Sequence, residues 1–93
     1  MAEHKNPQQI LAEITAASQQ ITLGGTYVHY KGDKHYKVLH FATLEATDEL
    51  CVVYQPLYCE TSLLFVRPVS VWLEMVEREG KTVQRFTPVA SGL

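Results

Sequence analysis

Residues 25–32 read GTYVHYKG, and this stretch decides the fold because the hydrophobic period changes here from helical to alternating. Two glycines enclose a short β-type segment that holds two tyrosines and a histidine. From Thr26 onward apolar residues recur with a period of two, as in strands whose successive side chains point to opposite faces. Tyrosine and histidine combine apolar rings with polar tips, so the stretch also predicts residues that line a pocket.

Turn signals recur about every ten residues downstream, which is typical of a small all-β domain. The predicted strands are Thr26 to Tyr30, His35 to Leu44, Leu50 to Tyr58, Ser62 to Arg67, Trp72 to Glu77 and Thr82 to Val89. Simple alternation in the second strand places Tyr36, Val38 and Ala42 on one face. Pro68 ends the fourth strand and begins one helical turn through Val71. The pattern predicts a mainly β fold, a small antiparallel SH3-like barrel or roll.

A helix precedes the strands. Asn6 is a suitable N-cap, Pro7 suits the first helical position, and Gln9 completes a capping box. Apolar residues at helical spacing continue to a predicted end near Gln20. We expect residues 1–24 to form this helix and a connector, 25–89 the β-roll and 90–93 a tail. The apolar stripe needs a partner surface, either the barrel of its own chain or that of a second copy, and the second alternative predicts a homodimer through this helix.

Composition excludes several classes of protein. With 93 residues a single domain is expected, and a net charge of -2 with a pI near 6.0 argues against a broad nucleic-acid surface. No apolar run approaches the roughly 20 residues of a membrane span, and no apolar signal segment opens the chain. Cys51 and Cys59 indicate reduced thiols rather than a disulfide framework, so we expect a cytoplasmic protein with no membrane contact.

Four elements of the sequence occur together in order: GTYVHYKG at 25–32, YKVL at 36–39, VVYQPLY at 52–58, and VRP at 66–68 followed by Trp72 and Arg85-Phe86. In these elements residues 25–89 resemble the bacterial family catalogued as domain of unknown function 1653. The resemblance implies a small SH3-like β-roll and no function. The family favours glycine at Cys59, tryptophan at Phe65 and phenylalanine at Trp72, so the turn at Cys59 departs from its pattern.

The leading functional hypothesis is a binding or adaptor module. Its predicted cleft holds Tyr27, His29, Tyr54, Gln55, Tyr58 and Arg67, with Trp72 as a further candidate. Aromatic faces supply contact area, and the planar fork of Arg67 suits a carboxylate or phosphate. The ligand is expected to be a small anionic molecule or a short peptide that carries a carboxylate. The structural alternative buries Val28 and Tyr30 and leaves Tyr27 and His29 at a rim. In this alternative Arg67 bonds to Glu74 or to carbonyl groups at the strand end.

A second hypothesis is single-stranded nucleic-acid binding through the basic hairpin, by Lys31, Lys34, Tyr36 and Lys37. Bases can stack on aromatic side chains beside a basic groove. The alternative interpretation is a solvated hairpin whose lysines protect an edge strand from aggregation.

A third hypothesis is a small enzyme that uses Cys59 or His29. A thiolate nucleophile needs a base and a third group that orients the base, and no third group is evident. His29, His35 and His40 show no recognised metal-ligand spacing. We therefore expect no catalysis, metal or cofactor.

Overall fold

The computed structural model describes residues 4–59 and 62–89. In chain order the elements are α1 (Pro7–Ser18), β1 (Thr26–His29), β2 (His35–Leu44), β3 (Glu49–Pro56), β4 (Phe65–Pro68), α2 (Val69–Trp72), β5 (Met75–Arg78), β6 (Lys81–Gln84) and β7 (Phe86–Pro88). The predicted mainly β fold with a leading helix is confirmed. No helix among these residues is long and apolar enough to span a membrane.

The strands form an antiparallel five-stranded sheet in the order β4-β3-β2-β1-β7 and a separate β5-β6 hairpin. The antiparallel prediction is therefore confirmed. No strand pairing between β4 and β7, the two edges of the large sheet, occurs in the part of the chain that the structure describes. The closed SH3-like barrel stays a prediction.

A register shift between Val38 and His40 changes which residues of β2 face the core. Val38 lies opposite Tyr54, whereas beyond the shift Phe41 lies opposite Val52. One extra residue in a strand reverses the alternation that follows it. Phe41 therefore packs against the core and Ala42 is exposed, so the prediction that Ala42 shares a face with Val38 is wrong.

The C-terminal third differs most from its prediction. Trp72 lies in the helical turn α2 and not in a strand, because the turn that starts after Pro68 continues through it. The predicted strand Thr82 to Val89 is broken at Arg85. There the Arg85 backbone N–H donates to the Glu74 carbonyl, and the Arg85 carbonyl accepts from the Tyr30 backbone N–H. As a result β6 and β7 belong to different sheets.

The core is strongly aromatic. Its buried members are Ile21, Tyr27, Val38, Val52, Tyr54, Trp72 and Phe86. The Trp72 and Phe86 rings stack with centroids 3.8 Å apart and planes 5° apart. Tyr27 is only 4% exposed, whereas Val28 and Tyr30 are half-buried, so the expectation that Val28 and Tyr30 pack inside is wrong. Tyr27 faces the core because β1 pairs with β2 in a register that places Tyr27 opposite Tyr36 on the inner face of the sheet.

The start of α1 follows the prediction in detail. The Asn6 side chain accepts from the Gln9 backbone N–H, and the Gln9 side chain accepts from the Asn6 N–H, which together make a capping box. The helix contacts β3 of its own chain through a face that buries Ala17. Leu11 is 62% exposed, so part of the apolar stripe is uncovered in the monomer. The homodimer stays a prediction.

Buried Asp48 joins the segment before α1 to the β2–β3 turn. Its carboxylate accepts from His4 Nδ1 and from the Lys5 backbone N–H, each at 2.7 Å. Burial alone would raise the pKa of the Asp48 carboxyl, but these hydrogen bonds and the nearby positive charges lower it. The carboxylate is therefore ionised at neutral pH and holds the N-terminal segment against the turn.

Candidate functional site

A cavity of about 410 Å³ opens between the β1–β2 turn and the inner face of the sheet. We call it the seam pocket, because β4 and β7, the two edge strands, both contribute to its wall. Its lining residues are His29, Lys31, Gly32, Asp33, Lys34, Tyr36, Tyr54, Arg67 and Phe86. This volume is within the usual range for a small-molecule site.

Arg67 lies on the β4 side of the seam pocket. Its Nε donates to the Tyr54 hydroxyl over 3.2 Å, and its guanidinium carbon lies 5.3 Å from the centre of the Phe86 ring. Of the two predicted alternative partners, Glu74 instead forms an ion pair with Arg85, so the predicted bond from Arg67 to Glu74 is wrong. Within residues 4–59 and 62–89 no carboxylate lies at ion-pair distance from Arg67. Its terminal nitrogens are therefore available to a ligand.

His29 ends β1 and lines the same pocket. Its Nδ1 accepts a hydrogen bond from the Lys31 backbone N–H over 3.2 Å, so the neutral ring carries its proton on Nε2. Burial lowers the pKa of His29, and the positive charges of Arg67, Arg85 and Lys31 lower it further. His29 is therefore a neutral hydrogen-bond donor at physiological pH.

Two tyrosine rings, those of Tyr36 and Tyr54, form part of the wall of the seam pocket. The Tyr36 ring contacts Tyr54 and Tyr58 edge-on, with centroids 5.4 and 5.7 Å apart. Burial raises the pKa of Tyr36, and the neighbouring Tyr58 raises it further, so its hydroxyl stays protonated. Lys34 Nζ lies 4.9 Å from the centre of the Tyr58 ring, a cation–π distance that places a positive charge at the rim.

The structure brings together three residues of the predicted cleft: His29, Tyr54 and Arg67. Tyr58 does not line the seam pocket, but its ring contacts the ring of Tyr36, which does. Tyr27 and Trp72 lie in the core and do not line the seam pocket.

Gln55 follows Tyr54 in β3 and therefore points to the opposite face of the sheet, where it lies opposite Lys37. For the same reason Lys37 is separated from the other members of the predicted basic hairpin. Lys31, Lys34 and Tyr36 do line the seam pocket, so the predicted cleft and the predicted hairpin share one cavity.

Phe86 forms part of the pocket wall, although neither predicted set of site residues includes it. Its sequence signal is the Arg85-Phe86 pair, which accompanies the GTYVHYKG stretch and belongs to the family resemblance. Phe86 reaches the pocket because β7 pairs with β1, where it lies opposite His29. The two residues are far apart in sequence, so no local pattern could indicate this pairing.

The structure does not join the two residues of the predicted Cys/His enzyme. Cys59 is exposed and free, does not line the seam pocket, and forms no hydrogen bond to His29 among the residues described. In the same ranges no group of three His, Cys, Asp or Glu side chains could hold a metal ion.

Comparison with known proteins identifies a family. The family described as "Protein of unknown function (DUF1653)" matches residues 25–88. The chain is also similar to a protein of known crystal structure from Bordetella bronchiseptica that belongs to DUF1653, with 36% sequence identity and a TM-score of 0.68. That alignment covers 81% of this chain and 95% of the other. No curated protein matches the sequence. The chain therefore belongs to the DUF1653 family.

Proposed function

We propose that this domain is a binding module that takes a small anionic ligand, or the carboxylate of a short peptide, in the seam pocket. The observation that supports the proposal is the placement of Arg67. Its guanidinium lies in the pocket wall, is held by Tyr54 and Phe86, and has no carboxylate partner among the described residues.

The charge of the lining residues supports the same proposal. Lys31, Lys34 and Arg67 contribute +3 and Asp33 contributes -1, so the pocket carries +2 in a chain of net charge -2. A concave site with one sign of charge concentrates ligands of the opposite charge. Because Tyr54 and Phe86 already hold Arg67, less conformational entropy is lost when its fork binds an anion.

The direct test is a thermal-shift screen of small carboxylates, phosphates and peptides with free C-termini, followed by calorimetry on the hits. We expect at least one anion to raise the melting temperature and Arg67→Gln to abolish that shift. Arg78→Gln is the matched control, because Arg78 is an exposed arginine of the β5-β6 hairpin outside the pocket. The proposal fails if no anion stabilises the protein, or if Arg67→Gln binds as tightly as the wild type.

The second candidate function is single-stranded nucleic-acid binding. It is supported by the position of Lys31 and Lys34 beside Tyr36 in the same cavity. Binding through phosphates releases counterions, so the affinity for an oligothymidine would fall steeply between low and moderate salt. A salt-independent affinity contradicts this mode, as does an unchanged affinity in a Lys31→Gln, Lys34→Gln double variant whose control is Lys81→Gln.

Three further expectations belong to this proposal. We infer a cytoplasmic location, which two free cysteines, Cys51 and Cys59, support because thiols stay reduced there. The five-stranded sheet, whose edges are bridged by Arg67 and Phe86, supports an SH3-like roll. The division into helix and connector (1–24), roll (25–89) and tail (90–93) completes the proposed organisation.

A further inference from the structure

We infer that the seam pocket takes the phosphate group of a small-molecule phosphate monoester in preference to a carboxylate. The inference rests on the proposed function, since it names the ligand class of the same pocket. It depends on the direction of the hydrogen bonds around the cavity.

Tyr54 and Arg67 both direct donors into the pocket. The Tyr54 hydroxyl accepts from Arg67 Nε, so its own proton is left to donate. Each terminal nitrogen of Arg67 carries two further N–H groups. Within the described part of the chain, neither the Tyr54 hydroxyl proton nor the terminal N–H groups of Arg67 have a protein acceptor.

His29 adds a donor of fixed identity. Because its Nδ1 is occupied as an acceptor by the Lys31 N–H, the proton of the neutral ring is on Nε2. Lys31 and Lys34 add positively charged donors at the rim. Asp33 is the one carboxylate in the lining set, and its single negative charge is outweighed by the three positive charges of Lys31, Lys34 and Arg67.

The N–H and O–H donors of the seam pocket outnumber its one carboxylate, so a ligand group that only accepts matches them. A carboxylate has two oxygens and one negative charge, whereas a phosphate monoester has three terminal oxygens and nearly two charges at neutral pH. The three phosphate oxygens can accept hydrogen bonds from Arg67, Tyr54 and His29 together, and the second negative charge matches the positive charges of the two lysines at the rim. A phosphate therefore accepts from more of the donors in the pocket than a carboxylate can.

The cavity size favours a small molecule as the carrier of the phosphate. A volume of about 410 Å³ holds a phosphate with one attached ring system. Residues Lys31 to Lys34 of the β1–β2 turn line the seam pocket, so this turn forms part of its wall.

The test uses three probes with the same ring: phenyl phosphate, benzenesulfonate and benzoate, measured by calorimetry at pH 7.5 and low salt. Benzenesulfonate has three oxygens but one charge, so it separates oxygen count from charge. We expect phenyl phosphate to bind about tenfold more tightly than either monoanion. If benzoate binds as tightly as phenyl phosphate, the phosphate inference is overturned while the proposed function stands. If no probe binds, or if Arg67→Gln leaves all three affinities unchanged, the proposed function itself fails.

A variant pair tests the donor role of His29. Glutamine offers an N–H donor and leucine offers none, so His29→Gln should keep most of the preference for phenyl phosphate and His29→Leu should lose it. Affinity for benzoate should change little in either variant. Equal losses for both probes would overturn the assignment of His29. Melting temperatures confirm that both variants fold, and Arg78→Gln again serves as the control.

A last experiment identifies the kind of molecule that carries the phosphate group. Thymidine 5′-monophosphate and a 5′-phosphorylated thymidine tetranucleotide carry the same phosphate group. We expect them to bind within a fewfold of each other. An affinity more than about tenfold higher for the tetranucleotide would overturn the small-molecule carrier in favour of a nucleic-acid end, because stacked bases add binding energy.

Discussion

The guanidinium of Arg67 lies 5.3 Å from the centre of the Phe86 ring, and this contact connects the two edge strands of the sheet. Trp72 stacks parallel to the same Phe86 ring, with the two ring centroids 3.8 Å apart. The Phe86 ring therefore belongs both to the core and to the wall of the seam pocket. A change at Phe86 should affect stability and ligand binding together.

Replacement of Phe86 by alanine should be strongly destabilising. The ring is buried and contacts Trp72, Tyr54 and Arg67, and truncation of a buried Phe costs about 3–5 kcal/mol. Urea denaturation monitored by Trp72 fluorescence measures the loss. Thr87→Ala, one residue along β7 at an exposed position, should change the unfolding free energy by less than about 0.5 kcal/mol. A loss below about 1 kcal/mol for Phe86→Ala would contradict the packing described above.

Tyr27→Phe should destabilise the fold by about 1 kcal/mol. The buried Tyr27 hydroxyl accepts from the Thr22 backbone N–H over 2.9 Å and so ties the connector after α1 to β1. Phenylalanine keeps the ring and its edge contact with Trp72 but removes the acceptor. Chemical denaturation measures the difference. Tyr30→Phe, at a half-buried position, is the control, and an equal loss in both variants would show that the Thr22 bond is not the cause.

Asn6→Ala should cost about 1 kcal/mol by removing the N-cap of α1. The loss arises because the Gln9 backbone N–H no longer has the Asn6 oxygen as its acceptor. Gln8→Ala is the control, since Gln8 is exposed and lies outside the capping box. Thermal unfolding followed by circular dichroism measures both variants. A melting temperature for Asn6→Ala equal to that of the control would refute the contribution of the cap.

The pKa of His29 should be lower than the 6.5 of an unperturbed histidine, because burial and the charges of Arg67, Arg85 and Lys31 oppose its protonation. The unfolded chain then binds more protons than the folded chain below pH 6.5, so this histidine lowers stability as the pH falls through that range. We expect the wild type to lose more unfolding free energy between pH 7.5 and 5.5 than His29→Gln does.

The imidazole chemical shifts of His29, followed by NMR as a function of pH, measure the pKa of His29 directly. Arg67→Gln removes one nearby positive charge and should raise the pKa of His29, whereas Arg78→Gln should leave it unchanged. A midpoint at or above 6.5 in the wild type would contradict the described environment of the ring.

Local sequence patterns predicted the structural elements that depend on residues close together in the sequence. The capping box of α1 depends on residues three apart, and the β1–β2 hairpin on a short polar turn between alternating segments. The predicted grouping of His29, Tyr54 and Arg67 in one cavity also agrees with the structure, although their binding role stays a prediction.

Predictions failed where distant pairings or packing decide the outcome. Tyr27 and Tyr30 fall on opposite faces of the predicted strand Thr26 to Tyr30, so only the pairing of β1 with β2 and β7 determines that Tyr27 faces the core. The register shift after Val38 leaves no mark in hydrophobic alternation, and it exposes Ala42. Trp72 has strong strand propensity, but burial against Phe86 favours the helical turn that places it in the core.

The sequence by itself therefore determined the fold class, the leading helix with its cap and the family, because these depend on residue type and short spacing. Only the tertiary structure decided the pocket. Arg67 and Phe86 are on opposite edges of the sheet, and they meet because the chain between them passes through the β5-β6 hairpin before β7 pairs with β1. The stretch GTYVHYKG supplies His29 and Lys31 to that pocket, whereas its first tyrosine, Tyr27, is part of the core beneath it.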